Sequence, residues 1–288
     1  RGPSSGSLHF GHFLPFYITK ELQDIFDVKV VIQITDDEKY LYNSDRTQGV
    51  EHFTAMAFEN IKDIIAFGFD MKKTFIFTNT QFIGNLYTVD LEIKKHFTLN
   101  QIKKTFGVTD EDNIGRIAYP TLQMVPCVPK VFDGFINEKA RCLIPCADDQ
   151  DVYFRLARDI LSKMKVHKPS MVFVGYVPSL QTVTEKMSSS KPETAIYLSD
   201  SNKTIQKKIG RAFSGGKETI EEHREKGGDC DVDVSLNILK YFISCDDYKD
   251  TYSKYKSGEL IASELKKKTI DALTGVKDEF LEQRTNVT

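Results

Sequence analysis

The sequence holds no tryptophan and only five cysteines (Cys127, Cys142, Cys146, Cys230 and Cys245), with no CxxC pair among them. So sparse and odd a set of thiols excludes a disulfide scaffold and fits a reducing compartment, so a cytoplasmic location is expected. Cys142 and Cys146 lie on one face of a strand-like run without a second ligand pair, so buried thiols are expected there and zinc is not. No apolar run reaches the roughly 18 residues of a spanning helix, which excludes a membrane protein of that kind. The opening residues carry no basic-then-apolar leader. Neither sign of charge dominates, since 39 basic residues against 41 acidic ones give a net charge of −2. A globally basic nucleic-acid binder is excluded, and any such partner must be held by a local patch. Internal repeats and low-complexity tracts are absent.

What remains is ordinary globular composition over 288 residues, enough for one large domain or two smaller ones. The opening "RGPSSGSLHFGH" gathers small residues and a proline ahead of His9 and His12. Such a stretch either lets the backbone approach a phosphate or is a flexible tail with two incidental histidines. Helical spacing follows through Phe26, then the β-branched run Val28 to Ile34, which breaks into "TDDE". A helical stretch to Gly68 and the strand "KTFIFTN" complete a βαβ rhythm. "NLYTVDLEIKKHFTLNQIKKTFG" and "NIGRIAYPTLQMVP" read as helices, "ARCLIPC" and "PSMVFVGY" as strands, with an amphipathic helix from Tyr153 to Met164 between them. From Ser199 onward the pattern is helical throughout. These readings predict an α/β protein: a Rossmann-like, doubly wound parallel sheet over residues 1–198, then an α-helical domain over 199–288. The chain starts inside what reads as a strand-to-helix loop and ends mid-pattern, so a first strand and a last helix are expected beyond it.

Ligands of open parallel sheets bind at the carboxyl ends of the strands. Four loops fall there: "GPSSGSLHFGH", "QITDDEK", "CADDQD" and "EKMSSSK". "HFGH" (His9 to His12) resembles the HIGH motif of class I aminoacyl-tRNA synthetases, with Phe10 in place of the usual isoleucine, and "KMSSS" (Lys186 to Ser190) resembles their KMSKS motif. With "VVIQITDDEKYL", "CLIPCADDQDVYFR" and "AFSGGKETIEEHREKGGDCDVDVS", essentially the whole chain resembles the eukaryotic-type tryptophanyl-tRNA synthetases.

The resemblance implies an enzyme that joins the carboxylate of L-tryptophan to the α-phosphorus of ATP, releases pyrophosphate, and passes the aminoacyl group to tRNA(Trp). A carboxylate is already a nucleophile, so the work is alignment and charge neutralisation. By the resemblance, His9, His12, Lys186 and Ser188 are the catalytic residues. Arg1, Gly2, Gly11, Lys39 and Met187 join the first three and Ser188 in holding ATP, with Mg²⁺ expected on the nucleotide and no dedicated metal cage. Gln33 would accept the indole N–H, and Thr35, Glu38, Gln150 and Gln181 would surround the ammonium and carboxylate of the amino acid. The residues alone leave another reading open, in which Asp36, Asp37, Glu38 and Gln150 merely cap helices. A homodimer, and no membrane partner, are expectations from the family.

"FSGGKET" looks like a phosphate loop but follows no apolar strand, so no phosphate role is assigned to it. Lys203, Lys207 and Arg211 form a stripe at i, i+4, i+8 that is either a solvated face or a grip on tRNA phosphates. Three other readings compete. A tyrosyl-tRNA synthetase shares fold and motifs; a cytidylyltransferase-like enzyme shares HxGH but not the helical region after KMSSS; an inactive, RNA-binding relative would not need both motifs intact.

Overall fold

A computed structural model describes residues 1–3, 6–188 and 191–287. Ser4 and Ser5 of the opening loop and Ser189 and Ser190 of the KMSSS stretch lie outside the described residues. The chain divides into two compact units, one formed by Arg1–Gly6 and Tyr17–Gly175, the other by Ser7–Phe16 and the residues from Tyr176 onward.

Helix α1 (Phe10–Phe26) runs through the division, which falls between Phe16 and Tyr17. In the first unit, β1 (Val30–Ile34) is a β-branched run with one polar residue, Gln33, and is buried almost throughout. It pairs in parallel with β2 (Thr74–Thr78), Gln33 lying opposite Phe77. Helices α2 (Asp36–Tyr42) and α3 (Val50–Ile65) make the crossover between them. Gly68, at φ 81°, takes the left-handed conformation after α3 that its lack of a Cβ permits. Helix α4 (Asn79–Lys94) begins directly at the end of β2. The next helix, α5 (Leu99–Phe106), is separate because Thr98 and Gln101 cap each other reciprocally and start a new helix there. Then come α6 (Ile114–Met124), β3 (Leu143–Cys146), α7 (Asp151–Lys163) and β4 (Ser170–Phe173), with β3 and β4 parallel. The core of this unit gathers Leu86, Val89 and Ile93 from α4, Leu122 and Met124 from α6, and Ala157 and Leu161 from α7.

One continuous doubly wound sheet was expected. The described residues instead form two two-stranded parallel sheets, β1 with β2 and β3 with β4. A sheet is continuous only where each strand bonds to both neighbours, and no described strand bonds β1 or β2 to β3 or β4. Among the described residues, Gly2 alone extends the first pair, by a parallel bridge to Ile34.

The second unit holds α8 (Asn202–Arg211), α9 (Ile220–Lys226), α10 (Val234–Leu239), α11 (Cys245–Ser257) and α12 (Ala262–Thr285). Leu265, Thr269, Leu273 and Lys277 recur every four residues along α12 and are buried, so one face of the longest helix meets the core. Phe10 stacks edge-on against Phe242 at 5.2 Å, and Phe13 meets Phe242 and Phe280. These rings fasten Ser7–Phe16 to the helices. The sequence reading put the division at residue 199; compactness puts it at Gly175 and Tyr176, so the KMSSS segment groups with the helical unit. No helix among the described residues is long and apolar enough to cross a membrane.

Candidate active site

In the second unit, residues 8–10 lie antiparallel to residues 196–198. Phe10 N–H donates to the Ile196 carbonyl at 3.0 Å, and Leu198 N–H to the Leu8 carbonyl at 2.9 Å. His9 is thereby only 4% exposed. Its ring stacks on that of His12 with centroids 3.8 Å apart, and its backbone N–H donates to His12 Nδ1 at 3.4 Å. That bond keeps the His12 proton on Nε2. Burial first, and then the charge of Lys186, push the His9 imidazole down from 6.5 to about 4. His9 is therefore neutral at physiological pH, and among the described residues its buried Nδ1 has no hydrogen-bond partner. The two histidines do not form a dicationic phosphate clamp; a neutral His9 brings one N–H at most.

Gly11 is required by space. A Cβ there would lie 2.8 Å from His9 Cε1 and 3.6 Å from Met187 Cβ. The HFGH and KMSSS stretches thus meet at Gly11 and Met187. Met187 is buried and its N–H donates to the Val177 carbonyl at 3.2 Å, while Lys186 is exposed and Ser188 half-buried. Gln181 is exposed in the same unit, with its N–H on Ser179 Oγ at 3.2 Å.

The first unit carries the other residues, clustered at the carboxyl end of β1. The acidic run divides its labour. Asp36 is fully buried and accepts from Thr54 Oγ1 at 2.9 Å and from the Thr80 N–H at 3.2 Å, which makes it a tie between α2, α3 and α4. Glu38 accepts from Thr35 Oγ1 at 2.9 Å and from Arg1 at 3.0 Å. Arg1 also donates to Gln123 Oε1 at 2.8 Å and to Tyr119, and Gln123 Nε2 donates to Gln150 Oε1 at 2.8 Å. Arg1, Thr35, Glu38 and Gln150 therefore belong to one polar network. Gly2 is tied by its N–H to the Gln33 carbonyl at 2.7 Å, and Lys39 is exposed on α2. Asp37 accepts from Asn79 Nδ2 at 2.8 Å; burial raises its carboxyl to about 6.

Gln33, 4% exposed, donates from Nε2 to Asn79 Oδ1 at 2.8 Å and to the Leu122 carbonyl at 3.4 Å. Its Oε1 is left as an acceptor. Sequence reasoning missed Tyr119, Gln123 and Asn79, all buried. A signal existed for Gln123, a polar residue inside the apolar run "YPTLQMVP", four residues from Tyr119 on the same helical face. The SGG loop is closed to phosphate in this geometry, because the Gly215 N–H is held by Asp233 at 2.8 Å and that of Gly216 by Ser214 Oγ at 3.1 Å.

Comparison with known proteins places this geometry. The family model of the tRNA synthetases class I (W and Y) matches residues 3–276. The cytoplasmic tryptophan–tRNA ligase of Oryctolagus cuniculus is 45% identical across the whole of this chain, which spans 62% of that protein. A product-bound parasite tRNA synthetase superposes with a TM-score of 0.95 at 44% identity, over 99% of this chain and 77% of its own. A tryptophanyl-tRNA synthetase from Encephalitozoon cuniculi bound to tryptophan gives 0.91 at 41% identity, over 100% and 78%. Mixed α/β architecture, both motifs and a family match over nearly the full length agree: the chain belongs to the class I tRNA synthetases of the tryptophan and tyrosine type.

Proposed function

We propose that the protein is a tryptophan–tRNA ligase, which activates L-tryptophan with ATP and transfers it to tRNA(Trp). The observation that carries this reading is the meeting of HFGH and KMSSS at Gly11 and Met187, in a chain 45% identical to a tryptophan–tRNA ligase. Residues 1–198 act as the Rossmann-like catalytic domain, and 199–288 as the anticodon-binding domain. His12, through Nε2–H, and Lys186 stabilise charge on the departing pyrophosphate, and Ser188 holds the lysine. Neutral His9 stacks on His12 and fixes its ring. Gly11 and Met187 form the surface against which the nucleoside lies, while Lys39, with Arg1 and Gly2, serves the phosphates.

Gln33 accepts the indole N–H, and Thr35, Glu38, Gln150 and Gln181 hold the ammonium and carboxylate. Through its bonds to Glu38 and Gln123, Arg1 also borders the residues that hold the amino acid. No group of three His, Cys, Asp or Glu side chains among the described residues could cage a metal. Mg²⁺ keeps most of its ligands as water and phosphate oxygens, so this donor set fits an ion carried on ATP. It would neutralise phosphate charge there. The protein acts as a homodimer in the cytoplasm, a reading supported by the exposed stripe Ile83, Tyr87 and Leu91 at i, i+4, i+8 of α4 and by the cytoplasmic relative.

The test is amino-acid-dependent pyrophosphate exchange by the full-length protein. Exchange with tryptophan and barely with tyrosine is expected, by a ratio of about 10⁴ or more for a site built around one buried hydrogen bond. Preferential exchange with tyrosine, or none with either, overturns the reading.

A further inference from the structure

A carboxamide can present either its oxygen or its nitrogen, and the two ends are nearly the same size. If Gln33 is to accept an indole N–H, something must stop it from turning over. Leu122 offers only a carbonyl, at 3.4 Å, which is a weak hold. The stronger partner is Asn79 Oδ1 at 2.8 Å, and Asn79 is itself a carboxamide that could turn. Asn79 is fully buried at the first position of α4, and its Nδ2 donates to Asp37 Oδ1 at 2.8 Å. An ionised carboxylate only accepts, so Asn79 must show it nitrogen. That turns the Asn79 oxygen towards Gln33, which in turn must show nitrogen, and Oε1 of Gln33 faces the other way. No described group donates to that oxygen.

We infer that Asn79 is a positioning residue that sets amino-acid specificity: held by Asp37, it locks the Gln33 carboxamide with its oxygen free to receive a ring N–H. The inference rests on the proposed tryptophan activation and adds to it the group that decides which end of Gln33 meets the substrate. A ligand of the same shape without the N–H gains nothing from the lock.

The experiment compares pyrophosphate exchange with tryptophan and with β-(3-benzothienyl)alanine, in which sulfur replaces the indole N–H, in the full-length protein. Wild type prefers tryptophan. Asn79→Ala lowers kcat/KM for tryptophan by about 10- to 100-fold and for the sulfur analogue by less than about 3-fold, so discrimination collapses. Asn79→Leu, closer in volume, guards against loss through a cavity and gives the same result. Asn79→Asp keeps an acceptor towards Gln33 while sharing a proton with Asp37, and it restores the preference. In a Gln33→Ala background Asn79→Ala has no further effect on discrimination. Equal losses for both amino acids, or failure of Asn79→Asp to rescue, overturn the inference while leaving tryptophan activation standing. Absence of tryptophan-dependent exchange in the wild type overturns the proposed function and this inference with it.

Discussion

His9 and Asp37 carry opposite protonation shifts, and their signs can be separated. The His9 imidazole falls from 6.5 to about 4 through burial and then the Lys186 charge. Unfolded chains take up that proton near 6.5 and the folded protein does not until about 4, so stability present above 6.5 is lost on acidification, by up to about 3 kcal/mol. Asp37 moves the other way, its carboxyl raised by burial from 3.8 to about 6. The folded state keeps a proton there that the unfolded chain has released, so acidification from 6 towards 3.8 regains stability. The two contributions offset each other in wild type. Asp37→Asn removes the regain while keeping an oxygen for Asn79 Nδ2 and the Glu38 N–H. Urea unfolding at about pH 6.5 and about pH 4.5 should therefore show a larger acid loss in Asp37→Asn than in wild type. An equal or smaller loss would contradict the raised carboxyl of Asp37.

At the scale of elements, the helical unit is organised by one buried carboxylate. Asp233 caps α10, its Oδ1 accepting from the Leu236 N–H at 3.0 Å. Its Oδ2 accepts from the Gly215 N–H at 2.8 Å, Ser214 Oγ at 3.1 Å and Tyr255 Oη of α11 at 2.7 Å. The "GGDCDVDV" stretch ends α9 at Gly227 and supplies, in Asp233, the cap of α10. Gly227, at φ 72°, sits where a Cβ would fall 1.8 Å from the Lys256 carbonyl oxygen, so α9 ends against α11 only because the residue is glycine. Asp233→Ala removes the cap and orphans several buried donors, and should cost about 3 kcal/mol or more. Tyr255→Phe removes one donor and should cost about 1–3 kcal/mol. Thermal unfolding checks both, and a Tyr255→Phe loss equal to that of Asp233→Ala would mean the tyrosine alone holds the network.

Across the whole molecule the proposed division of labour is testable through charge. Lys203, Lys207 and Arg211 are all exposed on α8. Lys203→Glu with Lys207→Glu should weaken tRNA charging and flatten its log–log salt slope by about 2, leaving pyrophosphate exchange within about 2-fold. Collapse of exchange in a folded variant would mean that residues 199–288 also serve activation. What the sequence by itself determined was local: the strand and helix rhythm, the two motifs, and the acidic and amide residues at the end of β1. Periodicity and spacing encode these because each depends on residues a few positions apart. The tertiary structure decided the rest. Aromatic packing of Phe10 and Phe13 draws Ser7–Phe16 into the unit that begins at Tyr176. Desolvation makes His9 neutral, Glu38 and Gln123 claim Arg1, and a hydrogen-bonded chain from Asp37 through Asn79 sets the face of Gln33. Desolvation and amide orientation depend on which distant groups pack around a side chain, and no spacing along the sequence carries that information.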